Sequence, residues 1–301
     1  MPDYYKYLPV SAEDESWGLN VLNAGSTHVR PGTAYPSTGH PAHHNFKWSK
    51  GRVLQEHQVI YITKGEGIFE SARGGRREVR EGTIILLFPG ERHRYKPHRD
   101  TGWDEYWVGF TGPVTERIYR KNFFQPENPT IAVGYHEDIL HLFLEIIDTT
   151  KKEATGYQPL VAGAVLHILG RIYHLSRQEI FEGQGIAPII DKARLIFRSN
   201  LEGHISPEDV AQQLKISYSR FRKIFKEYTG LAPGQFQIQL KIHRAKELLA
   251  DPSRLIKEIA YDLNFESSFY FSRLFKEKTG MTPQQFRDST ANQPAERSPK
   301  A

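Results

Sequence analysis

Near its end the chain contains an internal repeat, which limits the folds that this region can adopt. The segments SYSRFRKIFKEYTGLAPGQF (217–236) and SSFYFSRLFKEKTGMTPQQF (267–286) agree at ten of twenty aligned positions. A shorter segment with helical periodicity precedes each copy, SPEDVAQQL (206–214) in the first and IKEIAYDL (256–263) in the second. A short helix, a tight turn and a longer helix form a helix-turn-helix unit, so the sequence predicts two such units in tandem.

Each predicted unit has its own signals for where helices begin and end. Ser206 followed by Pro207 predicts the start of the first short helix, and Gly230 and Gly280 predict the ends of the two longer helices. The short helices align at a spacing of 49 residues and the longer ones at 50, so the second turn has one extra residue. That turn contains Asn264, which tolerates left-handed backbone better than most residues.

The longer helices divide into an apolar face and a polar face. Helical periodicity predicts that the buried residues are Phe221, Ile224, Phe225 and Tyr228 in the first copy and Phe271, Leu274 and Phe275 in the second. The opposite faces suit phosphates and base edges. The candidate DNA-binding residues are Ser219, Arg222, Lys223 and Lys226 in the first copy, and Ser268, Phe269, Ser272, Arg273 and Lys276 in the second. One basic face alone indicates solvated surface, whereas two in tandem favour double-stranded DNA, with two successive major-groove segments per monomer.

The charge distribution agrees with a polyanionic partner for this region. Residues 188–288 contain 17 Lys and Arg against 12 Asp and Glu, a balance of +5, whereas the first 187 residues carry about −1. The chain has no cysteine, which excludes disulfides, thiolate metal sites and a cysteine nucleophile.

The first part of the chain has the pattern of β structure followed by two helices. QVIYITKGEGIFES (58–71), REVREGTIILLFPGERHRY (77–95) and WDEYWVGF (103–110) predict the strands of a sandwich or barrel, with KGEG as a tight turn. The segments 137–152 and 159–180 have helical periodicity and much apolar surface. These helices pack either on their own strands or on a second copy of the chain, and we predict a homodimer.

Several of these segments resemble a known family. LKIHRAKELL, IAYDLNFESSFYFSRLFKEKTGMTPQQFR and the tandem arrangement resemble the DNA-binding domain of the AraC family of transcription regulators, in which glycine is usual at the position of Asn264. KGEG and the segment GTIILLFPGERHRY resemble the two halves of a cupin motif, and residues 52–110 are similar to the sugar-sensing domain of arabinose-type members.

The resemblance implies an α+β multidomain protein: an N-terminal cupin-like β-barrel with dimerisation helices, and a C-terminal all-α domain with two helix-turn-helix units. The predicted divisions are an arm (1–45), a ligand-sensing barrel (46–135), dimerisation helices (136–181), a linker (182–188), the tandem domain (189–288) and a disordered tail (289–301). No signal peptide is evident, and no window approaches the roughly 18 apolar residues of a membrane span. These patterns predict a cytoplasmic protein without a membrane partner.

The predicted effector is a small polar molecule inside the barrel. Trp103, Glu105 and Trp107 face the same side of one strand, where an indole can stack on a ring and a carboxylate can accept hydroxyl hydrogen bonds. Barrel core is the alternative for each aromatic residue. The resemblance places the sugar-contact positions at or near Arg52, Tyr95, Glu105 and Trp107. With two candidate histidines added, the predicted ligand-binding set is His44, Arg52, His93, Tyr95, Glu105 and Trp107.

The same region raises the alternative of a metal-dependent cupin enzyme. His43, His44, His57 and His93 supply imidazoles and Glu56 a carboxylate, but their spacing does not match the metal-binding cupin pattern. We therefore predict no metal, cofactor or catalytic residue. The predicted function is a ligand-responsive transcription regulator, a sugar-sensing activator of carbohydrate-utilisation genes with RNA polymerase as a candidate partner. The alternatives are a cupin enzyme fused to a DNA-binding module, and a constitutive regulator whose barrel only dimerises.

Overall fold

The computed structural model describes residues 3–35 and 48–291. The chain forms two compact units, Met1–Glu179 and Ile180–Ala301, each with its own hydrophobic cores. A sheet-rich unit followed by a helical unit confirms the predicted mixture of β and α structure. Among the described residues, no helix combines the length and the apolar composition needed to cross a membrane.

The first unit is built on antiparallel strands. Its described elements are β1 (Tyr4–Tyr7), α1 (Ala12–Ser16), β2 (Asn20–Val29), β3 (Arg52–Val53), β4 (His57–Ser71), β5 (Gly75–Arg80), β6 (Thr83–Leu87), β7 (Arg92–Pro97), β8 (Trp103–Thr111), α2 (Pro113–Arg120), β9 (Thr130–Ala132), α3 (Glu137–Lys152) and α4 (Tyr157–Glu182). The hydrogen-bonded order is β1-β2-β8-β4-β6-β9, and β4 also pairs with β5 and β7. The described strands do not close into a ring, so the predicted cupin-like barrel is not confirmed.

The longest strand, β4, corrects the prediction of a tight turn at KGEG. Its first half pairs with β6 and β8, and its second half pairs with β5 and β7. The register shifts between Ile62 and Lys64, and Gly65 has a φ of 87°. A Cβ on Gly67 would lie 2.3 Å from the backbone oxygen of Lys96. The glycines therefore permit a bulge and a close backbone approach, by which one strand passes between two parts of the sheet.

The segment predicted as an N-terminal arm, 1–45, belongs in part to the sheet. β1 pairs with β2, and β2 pairs with β8 from Asn20 opposite Thr111 to Val29 opposite Trp103. Most of β2 is buried although its sequence, NVLNAGSTHV, has no apolar run. The arm prediction is therefore wrong for β1 and β2. The small and polar residues of β2 do not show the apolar pattern from which a buried strand is predicted. Residues 36–47 lie outside the described part of the chain.

Helices α3 and α4 pack on the sheet of the first unit. Their buried residues share one core with the strands, including Phe143, Ile146, Val165 and Ile168 from the helices and Val59, Tyr61, Ile84 and Val108 from the sheet. The sequence allowed these helices to pack either on their own strands or on a second copy of the chain. In the structure, the sheet of the same chain covers much of their apolar surface. On α4, Leu160 and Leu166 remain 55% and 38% exposed.

The described part of the second unit is helical throughout. Its further helices are α5 (Ile186–Ser199), α6 (Pro207–Gln213), α7 (Tyr218–Thr229), α8 (Pro233–Leu249), α9 (Ile256–Asp262), α10 (Ser268–Thr279) and α11 (Pro283–Ala291). The pairs α6–α7 and α9–α10 confirm the two helix-turn-helix units, and the second turn has the predicted extra residue. Phe221 and Phe225 of α7, and Phe271 and Phe275 of α10, are fully buried as predicted.

Two predicted boundaries of the second half differ in the structure. The linker 182–188 is helical at both ends, because α4 continues to Glu182 and α5 begins at Ile186, so that only 183–185 lie between them. The two glycines of this segment lie between the helices, one directly after α4 and one directly before α5. Gly185 has a φ of 64°. The tail 289–301 begins within α11, which ends at Ala291. The remaining tail residues lie outside the described part.

Candidate functional site

The two longer helices of the tandem units, α7 and α10, begin and end in the same way. The hydroxyl of Ser217 accepts a hydrogen bond from the backbone N–H of Arg220, and that of Ser267 accepts one from Tyr270. Gly230 and Gly280 follow the last turns with φ of 77° and 82°, a conformation that glycine adopts without strain. The predicted ends of both helices are therefore confirmed.

The polar face of α7 forms a shallow basic cleft. The predicted residues Ser219, Arg222, Lys223 and Lys226 are all exposed. With Tyr218, which the sequence reasoning missed, they line a cleft of about 410 Å³. The lining contains three cations and no carboxylate, so its positive charge is not neutralised within the cleft. Such a surface is suited to phosphate and to the acceptor atoms of base edges.

The corresponding face of α10 has the same position but a different composition. Ser268, Arg273 and Lys276 are exposed and Ser272 is half-buried, whereas Phe271 and Phe275 of the same helix are buried. Phe269 is 79% exposed. The predicted set thus lies together on one side of α10, with an aromatic ring at its N-terminal end.

The turns that orient these helices both use left-handed backbone. Asn264 has a φ of 51°, and Lys215 occupies the equivalent position of the first helix-turn-helix, between α6 and α7, with a φ of 56°. The Asn264 side-chain amide donates to the backbone oxygen of Glu202 at 2.8 Å, and Lys241 Nζ donates to the backbone oxygen of Asn264 at 3.1 Å. The turn conformation predicted for Asn264 is confirmed, whereas the left-handed conformation of Lys215 was not predicted.

A polar cluster lies inside the sheet of the first unit and contains most of the predicted ligand-binding residues. Arg52 on β3 stands opposite His93 on β7. Its Nη2 donates to the Tyr95 hydroxyl at 2.5 Å and its Nε donates to His93 Nε2 at 3.2 Å. Burial raises the pKa of Tyr95 to about 12. One guanidinium therefore fixes two neighbouring side chains.

The contacts of His93 define its protonation state. Burial, with the nearby Arg52 charge, lowers its pKa to about 3, so the imidazole is neutral at physiological pH. Because Nε2 accepts from Arg52, the proton lies on Nδ1, which donates to the backbone oxygen of Glu91 at 3.0 Å. His93 thus orients Arg52 without adding charge to the cluster.

Glu105 on β8 joins this cluster through a residue that the sequence reasoning missed. The Tyr35 hydroxyl donates to Glu105 Oε1 at 3.1 Å, and the Tyr35 ring lies 6.2 Å from that of Tyr95. Burial raises the pKa of Glu105 to about 8, opposed by the Tyr35 hydrogen bond and the Arg52 charge. At neutral pH this carboxyl is largely protonated, so it can donate as well as accept a hydrogen bond.

Trp107 lies beside the same interior, seated on a glycine. A Cβ on Gly25, its partner on β2, would lie 2.4 Å from Trp107 Cζ2 and 2.5 Å from the backbone oxygen of Tyr4. Trp107 is half-buried and packs against the interior core, whereas Trp103 is 1% exposed. Trp107 is therefore the tryptophan of this strand that a ligand in the interior can reach, and Trp103 is core.

Further polar groups face this interior without having been predicted. The Gln58 amide donates to Asn23 Oδ1 at 3.1 Å, and Asn23 donates to Glu56 at 3.3 Å. Gln58 Oε1 and Trp103 Nε1 are buried and have no hydrogen-bond partner in the described structure. Successive side chains of a strand point to opposite faces of the sheet, so alternation along β2 and β4 shows which side chains face the interior. These residues were missed because β2 was not predicted as a strand. The polar groups of this interior suit a ligand with several hydroxyl groups.

The histidines weighed for the alternative of a metal site do not come together where they are described. His57 stacks on Tyr119 with ring centroids 3.9 Å apart, while His93 contacts Arg52. Among the described residues, no three His, Cys, Asp or Glu side chains are grouped so as to hold a metal ion. His43 and the candidate ligand residue His44 lie outside these residues.

Comparisons with known proteins match both units. Residues 210–289 match a helix-turn-helix domain model, and residues 34–181 match the AraC-like ligand binding domain. The lactose operon transcription activator of Staphylococcus xylosus is 26% identical over 73% of this chain and 80% of its own. The arabinose operon regulatory protein of Salmonella typhimurium is 28% identical over 71% of this chain and 78% of its own.

One further relative and one solved structure belong to the same group of matches. The Msm operon regulatory protein of Streptococcus mutans is 25% identical over 75% of this chain and 82% of its own. The crystal structure of an AraC-type regulator from Chromobacterium violaceum is 28% identical, covers 36% of this chain and 97% of its own, and has a TM-score of 0.34.

Proposed function

Because the chain belongs to the AraC family of transcription regulators, which are DNA-binding regulators rather than enzymes, we propose that it binds DNA through α7 and α10 and responds to a small polar ligand held inside the sheet of its first unit. The observation that carries this function is the pairing of two exposed recognition helices in one unit with an enclosed polar cluster in the other. A DNA partner supports the proposal that the protein acts in the cytoplasm.

The DNA contacts follow from the two faces. Serine, lysine and arginine side chains on α7 and α10 lie outside the hydrophobic cores. The first turn of each helix contains no acidic residue. Helix N-termini and cations both favour phosphate. Because α8 connects the two helix-turn-helix units, we propose that each monomer contacts two successive segments of the major groove.

The proposed effector is a sugar or a sugar derivative. Arg52, Glu105 and Tyr95 offer hydrogen-bond donors and acceptors to hydroxyl groups, and Trp107 offers a flat apolar surface for a sugar ring. Two relatives are named for lactose and arabinose operons, which supports carbohydrate-utilisation genes as the targets. We propose activation as the sign of regulation, with RNA polymerase as the further partner.

The proposed oligomer is a homodimer that uses the outer face of α4. Leu160 and Leu166 are exposed there, and Gly163, three residues from each of them, is exposed too. Residues at this spacing share one side of a helix, and the glycine between the leucines permits a close approach of a second helix. Burying this face in a second copy would shield the apolar surface that the sheet leaves uncovered.

A thermal-shift screen of the full chain against monosaccharides and disaccharides tests the effector. All four tryptophans precede residue 108, so tryptophan fluorescence follows the unfolding of the sensing unit. A sugar at a hundred times its dissociation constant should stabilise this unit by about 2.7 kcal/mol, a shift of a few degrees. Arg52→Ala should abolish the shift. No shift with any sugar would contradict the sugar effector and favour a first unit that only dimerises.

A further inference from the structure

We propose that the two recognition helices read different base chemistry: Phe269 at the start of α10 recognises the 5-methyl group of thymine, while the cationic face of α7 reads guanine and phosphate. The proposal rests on the DNA-binding function proposed above and specifies which bases each unit selects. It predicts a binding site whose two segments differ in composition, although the two units descend from one repeated motif.

The position of Phe269 places its ring where base edges are read. It is the second residue of α10, directly after the capping Ser267 and the first helical residue, Ser268. In helix-turn-helix proteins the N-terminal residues of the recognition helix contact base edges in the major groove. Phe269 therefore stands at the end of α10 that enters the groove.

The exposure of Phe269 shows that the fold does not require its ring. Phe271 and Phe275 of the same helix are fully buried, whereas Phe269 is 79% exposed. Single exposed apolar residues are common on protein surfaces. This one lies among the polar residues Ser272, Arg273 and Lys276, so its surroundings favour a polyanion over an apolar protein surface as the partner.

The two copies differ at this position. Ser219 on α7 aligns with Phe269 on α10, and Arg222 aligns with Ser272. In the first face, the hydroxyl of Ser219 lies with three cations in one cleft. In the second face, an aromatic ring replaces this hydroxyl, and the hydroxyl of Ser272 replaces the guanidinium of Arg222. Arginine suits the O6 and N7 acceptors of guanine, and phenylalanine suits the thymine methyl group. The substitutions between the copies therefore follow the chemistry of two different bases.

The experiment removes single methyl groups from the DNA. The full chain first selects its preferred duplex from a random pool, and each thymine of that duplex is then replaced in turn by uracil. The unmodified chain should bind about fourfold more weakly at one or two replaced positions, the effect of one buried methyl group. Phe269→Ala should bind the thymine and uracil duplexes equally.

A matched control uses the other strongly exposed aromatic residue of this unit. Tyr261 is 82% exposed but lies on α9, the first helix of its pair. Tyr261→Ala should keep the fourfold preference for thymine. Conversely, replacing guanine by 7-deazaguanine in the other segment should weaken binding by the unmodified chain, and Arg222→Ala should lose this sensitivity while keeping the preference for thymine.

The outcomes separate this proposal from the proposed function. If no duplex is enriched from the random pool, the DNA-binding function itself is wrong. If a duplex is enriched but every uracil replacement leaves its affinity unchanged, or Phe269→Ala keeps the thymine preference, DNA binding stands and the role of Phe269 is overturned. A preference for thymine that disappears only in Phe269→Ala supports the proposal.

Discussion

At the scale of single residues, Arg52 holds the polar cluster of the first unit together by donating to Tyr95 and to His93. Arg52, Tyr95 and Glu105 were predicted from a resemblance, and the structure brings them together. Tyr35 was missed because it lies in the turn-rich segment VRPGTAYPS, and its hydrogen bond to Glu105 spans 70 residues of sequence. No local pattern reports such a contact. The ligand-binding role of all these residues stays a prediction, as does that of His44.

One prediction at this scale concerns the basic face of α7. Arg222→Ala should weaken binding of the full chain to its selected duplex by roughly 1–3 kcal/mol, because an arginine that reads a base loses two hydrogen bonds at once. Arg198→Ala, which removes the same charge from an exposed position on α5, should have a much smaller effect. Fluorescence anisotropy at fixed salt measures both. Equal affinities of the two variants would refute the assignment of this face.

A second prediction concerns the pH dependence of stability from Glu105. Between pH 4.5 and about 8 the folded chain keeps this proton and the unfolded chain releases it. Raising the pH through this range should therefore lower the free energy of unfolding, by at most about 1.4 kcal/mol per pH unit. Glu105→Gln should remove this decline. Urea titrations followed by tryptophan fluorescence test it, and parallel pH profiles of the two proteins would contradict the raised pKa.

At the scale of elements, helices were predictable and strands only in part. The ends of α7 and α10 depend on local signals, a capping serine and a glycine, which the sequence displays directly. β2 depends on its partner β8, and its residues NVLNAGSTHV carry little local preference for a strand. Likewise the sequence of β4 predicts two strands around KGEG, because a β-bulge and a tight turn both favour glycine and look alike in sequence. Pairing between distant segments decided both elements.

The contact between β2 and Trp107 gives a prediction about Gly25. Gly25→Ala places a methyl group within 2.5 Å of both an indole carbon and the backbone of β1, so it should destabilise the first unit by about 1–3 kcal/mol. Gly234→Ala on α8, where the nearest atom to an added Cβ is Pro207 Cγ at 4.0 Å, should leave stability unchanged or raise it by up to about 1 kcal/mol. Urea titrations compare the two. A Gly25→Ala chain as stable as the unmodified one would show that Trp107 is not held against β2.

At the scale of the whole molecule, the order of the two units and the duplicated helix-turn-helix could be predicted, but the closure of the sheet and the extent of the arm could not. The repeat carries its own signals, whereas closure depends on where a single long strand bends. The oligomeric state likewise depends on surface that one chain leaves uncovered. Leu160 and Leu166 on α4 are the exposed residues on which the proposed dimer rests.

The dimer is tested by adding charge to this face. The unmodified chain should have the mass of a dimer in light scattering after size exclusion, and the double variant Leu160→Glu, Leu166→Glu should be a monomer, because two carboxylates would be buried against an apolar partner. Leu195→Glu, at a 66% exposed leucine on α5, serves as the control and should remain a dimer. A double variant that stays dimeric would move the interface elsewhere.

The central claim is that a ligand inside the first unit changes how the second unit binds DNA. It is tested most directly by titrating the selected duplex with the full chain, with and without the sugar that stabilises the chain most. The affinity of the unmodified chain should change by at least about fivefold, the lower end of common coupling between sites, and that of Arg52→Ala should not change. An affinity that is the same with and without the sugar, under conditions in which the sugar is bound, would contradict the claim.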